Sequence, residues 1–366
     1  MTYVRGVFYC PWRHEDFDET ARMLHEHRVN VVSLQRVGNG WFGYAYYPSA
    51  IKPHALAAGE DLLADALRAF HGLGIAVRAH LAVGNDPAIA EAHPDWLAVR
   101  RDGVAARPPQ AWESTSYYHL CPARPEYQEY LLGVVAEIAR GYPIDGIDLD
   151  YIRYPWTPAG PYCYCDHCRS TYRDSAGTDP VVLEPGQAGW EEWLDWRAAR
   201  VTDLVRRIGE TLRRERPRAT LMAYIAAWYA ETGERSEVAK IRERFGQDVA
   251  ALAPHVDAYA PMLYHNYPHE PFTTVHGVGW VGAMTRWIRE AGGRPVWSAT
   301  QVAPRDVDPI TARLAAEASM TAGAQGVVLF PLGSIASLPG PEIWPEMDKV
   351  FGRLARLELA DRREEA

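Results

Sequence analysis

Strand-type apolar runs alternate with amphipathic helical stretches eight times along the 366 residues, and this rhythm constrains the fold more than any single motif. "VRGVFYC" (4–10) and "VNVVSLQ" (29–35) flank the helical "FDETARMLHEH", which makes one β-α-β unit. In "LLADALRAFHGLG", Leu63, Leu67 and Phe70 share a helical face, and glycines stop the helix before the strand "IAVRAHLAV" (75–83). Helical stretches then precede "IDGIDLDYI" (144–152), "TLMAYIAAW" (220–228), "VDAYAPMLY" (256–264), "PVWSATQV" (295–302) and "GVVLF" (326–330). A last helix is expected from about 341 to 359. Strands joined through helices run parallel, so eight units predict a (β/α)8 TIM barrel. A doubly wound sheet is the alternative, but no G-x-x-x-x-G-K-[ST] phosphate loop follows any strand. The reading is one barrel domain over residues 1–359 and a charged C-terminal tail, "ADRREEA", over 360–366.

Charge and composition narrow the partners. A net charge of -9 repels a polyphosphate backbone, which argues against nucleic acid. No window approaches the ~18 uninterrupted apolar residues of a membrane span, and the start "MTYVRGVFYCPW" lacks a basic region followed by an apolar stretch. A soluble, cytoplasmic protein is expected. Oligomeric state is not legible. Five cysteines, three of them clustered, do not make a disulfide framework, so reduced thiols are expected.

The extra length sits after the third strand (84–123) and after the fourth (153–189). Such segments follow the C-terminal strand ends, where barrel proteins build their sites. Their aromatics, Trp96, Trp112, Tyr117, Tyr118, Trp156, Tyr162 and Tyr164, join Trp41, Phe42, Tyr44, Tyr46 and Tyr47 after the second strand. Flat aromatic faces of this kind stack on sugar rings; the alternative is that they pack the loops' own cores.

The fourth strand carries two carboxylates. In "GIDLDYIRYP", side chains alternate, so Asp148 and Asp150 share a face opposite Ile147 and Leu149. The aliphatic pair belongs under the helices and the aspartates point into the barrel. A buried carboxylate there must be paired, hydrogen-bonded or chemically employed. Asp150 lies nearest the C-terminal end, with Arg153 and Tyr154 beyond it. A neighbouring guanidinium keeps an aspartate ionised, as a nucleophile or base requires. Asp148 lies roughly 6.5 Å deeper and reads as a structural partner for Arg78 or Arg153.

"YPIDGIDLDYIRYP" followed by "CYCDHCRSTYRD" and a Trp-rich helix, with "HPDWLAVRRDG" and "YHLCPARPEYQEYLL" upstream, resembles the uncharacterised glycosyl hydrolase-like barrel families. The hypothetical glycosyl hydrolase 6 and glycosyl hydrolase-like 10 types are the nearest in kind, over roughly residues 75 to 265. Some members have Asp-Asp-Tyr where this chain has Asp150-Tyr151-Ile152, so one of two adjacent acids is carried over. The resemblance implies a glycoside hydrolase or transglycosidase; the alternative is a non-catalytic carbohydrate-binding barrel that has lost its second carboxylate.

Glycoside hydrolysis generally uses two carboxyl groups, ~5.5 Å apart for retention and ~6.5–9.5 Å apart for inversion. Glu231, after the fifth strand, is the first candidate for the partner of Asp150 by analogy with sugar-cleaving barrels; Glu113, Asp148 and Asp306 compete. His80, Asn85, Gln35, Arg36, Arg153, Trp228, Tyr264, His265 and Gln301, near strand ends, are candidate substrate contacts or satisfied rim residues.

"CYCDHC" directs the thiols of Cys163, Cys165 and Cys168 at one point through its C-x-C-x-x-C spacing. Soft ligands on a closed tetrahedral site favour a structural zinc ion, for which Cys121 is the first choice of fourth ligand, ahead of His167 and Cys10. Reduced cysteines that simply pack a loop are the alternative.

Overall fold

The computed structural model describes residues 3–11, 16–35, 37, 43–54, 56–57, 59–108, 117–157, 160–227, 230–267, 274–302, 307–332 and 342–364. Its eight parallel strands close into one barrel: β1 (Val4–Tyr9), β2 (Val31–Leu34), β3 (Ala76–Ala82), β4 (Gly146–Asp150), β5 (Thr220–Ile225), β6 (Ala258–Leu263), β7 (Trp297–Gln301) and β8 (Gly326–Leu332). Each strand pairs with its neighbour in sequence, and β8 returns to β1 with Gly326 opposite Val4, which leaves no open edge.

Eight helices alternate with the strands: α1 (Phe17–Glu26), α2 (Leu62–His71), α3 (Pro125–Gly141), α4 (Trp190–Glu215), α5 (Glu237–Phe245), α6 (Val278–Gly292), α7 (Pro309–Thr321) and α8 (Ile343–Glu364). Several starts are set by aspartate caps. Asp16, Asp61 and Asp308 each accept a hydrogen bond from a backbone N–H in the first turn of α1, α2 and α7, satisfying donors that a helix start leaves free. The last helix runs on past the expected stop at 359, so residues 360–364 continue α8. No helix among the described residues is long and apolar enough to cross a membrane. Two G-x-G-x-x-G spacings, 38–43 and 277–282, suit a nucleotide-binding turn in isolation. The closed barrel removes that context: the helix after the first begins only at Leu62, and Gly282 of the second packs α6 against α7.

Alternation along β4 sorts its side chains as the pattern requires. Ile147 and Leu149 are fully buried beneath the helices, while Asp148 and Asp150 join the barrel interior. Gly146 opens β4 because a Cβ there would collide with the Arg78 guanidinium, which lies across the strand. Higher in the barrel Phe8, His80 and Tyr224 meet edge to face, with ring centroids 4.7 to 6.1 Å apart.

The insertions are built and joined. After β3 come the short helix Pro87–Ala92 and the turn Pro94–Trp96; after β4 come the ribbon Trp156–Thr157 with Gly160–Pro161 and the helix Asp166–Ala176. Tyr164 N–H donates to Val99 O at 2.7 Å, which stitches the two insertions together.

Candidate active site

β4 ends on Asp150, whose side chain is 11% exposed and held from three directions. His80 Nε2 is 3.3 Å from Oδ2, Arg153 Nη1 is 3.2 Å from Oδ1, and the Tyr151 backbone N–H donates to Oδ1 at 2.7 Å. The parallel register places His80 opposite Asp148 and Ala82 opposite Asp150, so His80 reaches diagonally to the next inward residue of β4. Burial pushes the Asp150 carboxyl up, but His80, Arg153 and the Tyr151 backbone N–H together outweigh it and hold the group below the usual carboxylate value. The site therefore presents a fixed, ionised carboxylate at neutral pH.

The chain leaves β4 by a sharp turn. Tyr151 adopts φ 52°, a left-handed conformation costing a non-glycine residue about 1–3 kcal/mol. That turn folds Arg153 back over the Tyr151 ring, 4.5 Å from its centroid, and onto Asp150. Gly84 makes room for it, since a Cβ there would lie 2.6 Å from Tyr151 O. Tyr117 and His119 also pack on the Tyr151 ring, with centroids 5.2 Å and 6.0 Å from it. Burial, and then the Arg153 charge, push the His119 pKa down to about 3, so this imidazole is neutral.

Asp148 belongs to the floor. Arg78 Nε donates to its Oδ1 at 2.6 Å, with the two side chains 4% and 0% exposed. Arg78 also donates to Thr220 Oγ1 (2.5 Å), Thr220 O (3.1 Å) and Ile147 O (3.2 Å), and its guanidinium stands 5.1 Å from the Trp297 ring. The second Asp148 oxygen, Oδ2, is buried with no hydrogen-bond partner among the described residues.

The other candidates divide. Buried Asn85 accepts a hydrogen bond from Tyr118 N–H at 3.2 Å and thereby positions the insertion. Tyr264 stacks on Phe330 at 4.4 Å, Phe330 lies 4.9 Å from Phe8, and Gln301 is fully buried at the end of β7. His265 is buried, and burial followed by the His276 charge lowers its pKa. Gln35 instead lines a small apolar cavity with Pro11, Phe17, Leu34 and Leu63, away from the Asp150 network. Glu231 turns outward: its side chain is 59% exposed and lies 3.2 Å from Arg244 Nη2 on α5. Among the described residues, the Asp150 carboxylate has no second carboxylate as a direct partner. Trp228, Arg36, Glu113 and Asp306 lie outside the described residues, as do Trp41, Phe42, Trp112 and the Trp156 side chain. Of the loop aromatics, Tyr47, Tyr162 and Tyr164 are buried as loop core. A cleft of about 710 Å³ lies in the β3 insertion, lined by Glu91, Leu97, Val104, Arg107 and Tyr118, and none of Asp150, His80 or Arg153 lines it.

Sequence reasoning missed Gln247. Fully buried between α5 and β6, it accepts from Ala226 N–H (2.9 Å) and donates to Tyr224 O (2.8 Å) and Ile152 O (3.3 Å), tying the end of β5 to the turn after β4. A lone glutamine in a connecting segment carries no signal of such a role.

The cysteines converge. Sulfur atoms of Cys121, Cys163, Cys165 and Cys168 all lie within 4.8 Å of one another, all buried, and Cys121 is 3.5 Å from Cys168 and 3.8 Å from Cys165. Cys121 comes from the β3 insertion and the other three from the β4 insertion. Neither His167 nor Cys10 joins the group.

Comparison with known proteins gives a family and a fold. Glycosyl hydrolase YngK of Bacillus subtilis (strain 168) is 27% identical over 128 residues, which is 35% of this chain and 20% of that protein. A β-galactosidase from the psychrophilic Marinomonas ef1 superposes with a TM-score of 0.72 at 15% identity, over 97% of this chain and 60% of that one. The glycoside hydrolase domain of PgaB (BpsB) from Bordetella bronchiseptica superposes with a TM-score of 0.67 at 14% identity, over 90% and 94%. The chain thus spans about a fifth of the curated relative and three fifths of the β-galactosidase chain, and the structural likeness is one of fold. The family model described as glycosyl hydrolase-like 10 matches residues 9–236, well over half of the sequence, and the chain belongs to that family.

Proposed function

We propose that the chain is a carbohydrate-acting hydrolase, a glycoside hydrolase or transglycosidase whose central group is Asp150. One observation carries this reading: a carboxylate at the C-terminal end of a barrel strand, buried yet kept ionised by His80, Arg153 and the Tyr151 N–H. Such a group is equipped to attack an anomeric carbon or to take a proton from water. His80, wedged between Phe8 and Tyr224, fixes the carboxylate's direction. Arg153 stabilises its charge, and Asp148 with Arg78 forms the rigid base beneath it. Family membership and the glycosidase names of the structural neighbours support a carbohydrate as the substrate.

A second reading, a carbohydrate-binding barrel without turnover, is favoured by one feature: Glu231, the first candidate for a second carboxylate, faces Arg244 with its side chain 59% exposed. A panel of aryl glycosides and oligosaccharides separates the two. Hydrolysis of any member above the buffer rate supports the enzyme. Oligosaccharide binding without release of reducing ends, abolished by truncating Tyr117 but not by Asp150→Asn, supports the binding module.

A further inference from the structure

We propose that Cys121, Cys163, Cys165 and Cys168 bind one zinc ion as a closed tetrathiolate site, and that this ion clamps the β3 insertion to the β4 insertion beside the barrel mouth. Four sulfurs held at ~2.3 Å from a tetrahedral zinc stand about 3.8 Å apart. The 3.5 Å and 3.8 Å separations fall at that spacing. Reduced cysteines serving only as small apolar groups have no reason to leave two different insertions and meet at a point.

Backbone donors reach the cluster. Val99 N–H and Cys165 N–H both donate to Cys163 Sγ, at 3.2 Å and 3.4 Å. Such bonds orient a metal-ligating sulfur and stabilise its anion. An independent sign comes from Arg197 on α4, which is fully buried. Among the described residues its partners are Glu243 O (2.9 Å), Arg244 O (3.5 Å) and the face of Tyr154 at 4.8 Å, none of them an anion. A buried guanidinium without a counter-charge is costly. Tyr164, between two of the cysteines, lies 5.6 Å from the ring of Trp193, one turn before Arg197 on α4. Zinc with four thiolates carries a net charge of about -2, so the ion accounts for the buried cation as well as for the sulfur geometry.

The clamp's position gives it a role. Cys121 lies two residues beyond His119, which packs on Tyr151, and the cysteines of the second insertion follow the segment that starts at Asp150. Loss of zinc should therefore loosen the Tyr151 and Arg153 side of Asp150 while leaving the barrel closed. This consequence rests on the functional reading above; the metal site does not.

The test is metal analysis of the full chain, purified without chelator. One zinc per chain is expected, released in step with mercurial titration of four thiols. Cys121→Ser and Cys168→Ser should lose zinc, whereas Cys10→Ser should retain it. If the serine variants are insoluble, reconstitution of the parent with Co²⁺ decides: thiolate-to-cobalt charge-transfer bands with tetrahedral d–d bands support the site, and their absence overturns it. Less than about a tenth of an equivalent of zinc in the parent, or stoichiometric iron in its place, also overturns the proposal. Zinc present in a protein that cleaves no glycoside would leave the clamp standing and remove the functional reading alone.

Discussion

Replacing Asp148 by asparagine keeps the side chain's shape and removes the charge opposite Arg78. Taking one charge from a buried ion pair costs about 3–5 kcal/mol, because the remaining ion cannot return to water. The geometry selects the lower end. Arg78 keeps its donors to Thr220 and Ile147 and its contact with Trp297, and the asparagine oxygen still accepts from Nε. The new amide N–H groups would face the Oδ2 position, which has no partner among the described residues, so the cost does not fall below that range. At ~2.1 cal/mol/K of unfolding entropy per residue, 366 residues give about 0.77 kcal/mol/K, so a loss of 3 kcal/mol lowers Tm by about 4 °C. Circular dichroism and calorimetry at neutral pH read this shift. The double variant Arg78→Met, Asp148→Leu leaves no charge in the floor and should recover most of it. A Tm within about 1 °C of the parent for Asp148→Asn, or a double variant less stable than either single one, would show that the buried Arg78–Asp148 pair does not carry this cost.

Removing His80 takes away one of the groups that, with Arg153 and the Tyr151 N–H, hold Asp150 below its ordinary pKa, so in His80→Ala the acidic limb of kcat/KM should move to higher pH. The sign for stability follows: a depressed folded pKa stabilises above the unfolded value, roughly pH 3.9, and that contribution fades as pH falls through the folded pKa, so the variant should gain less from ionisation. An acidic limb that stays in place would separate His80 from Asp150. For Glu231→Gln, the outward pair with Arg244 predicts a stability change of about 0–1 kcal/mol and equal effects on good and poor leaving groups. Selective loss of poor-leaving-group substrates would instead mark Glu231 as the acid.

Architecture was legible because parallel-strand connections leave a periodic trace: β1 to β7 each lie inside the segments read from the sequence, and β8 runs only slightly further. The inward face of β4 was equally legible, since period-two alternation needs no knowledge of neighbours. Pairing across the barrel was half legible. Arg78 with Asp148 and Arg153 near Asp150 follow from strand offset, but the diagonal reach of His80 depends on barrel stagger. The left-handed Tyr151 and the bridging Gln247 carry no local signal, because tertiary contacts impose them. Glu231 and Gln35 show what position alone does not reveal: a residue just beyond a strand can turn to solvent or into a side cavity, and loop direction is set by packing absent from the strand pattern.

If a carboxylate fixed at the end of β4 performs the chemistry, it shows in kcat/KM of Asp150→Asn against the parent on the aryl glycoside that the parent cleaves fastest. A fall of at least about 10³-fold is predicted, with ligand affinity and Tm close to those of the parent, as for loss of a group acting in the transition state. Retention of turnover within about tenfold of the parent, in a folded variant that binds ligand normally, would remove Asp150 from the chemistry.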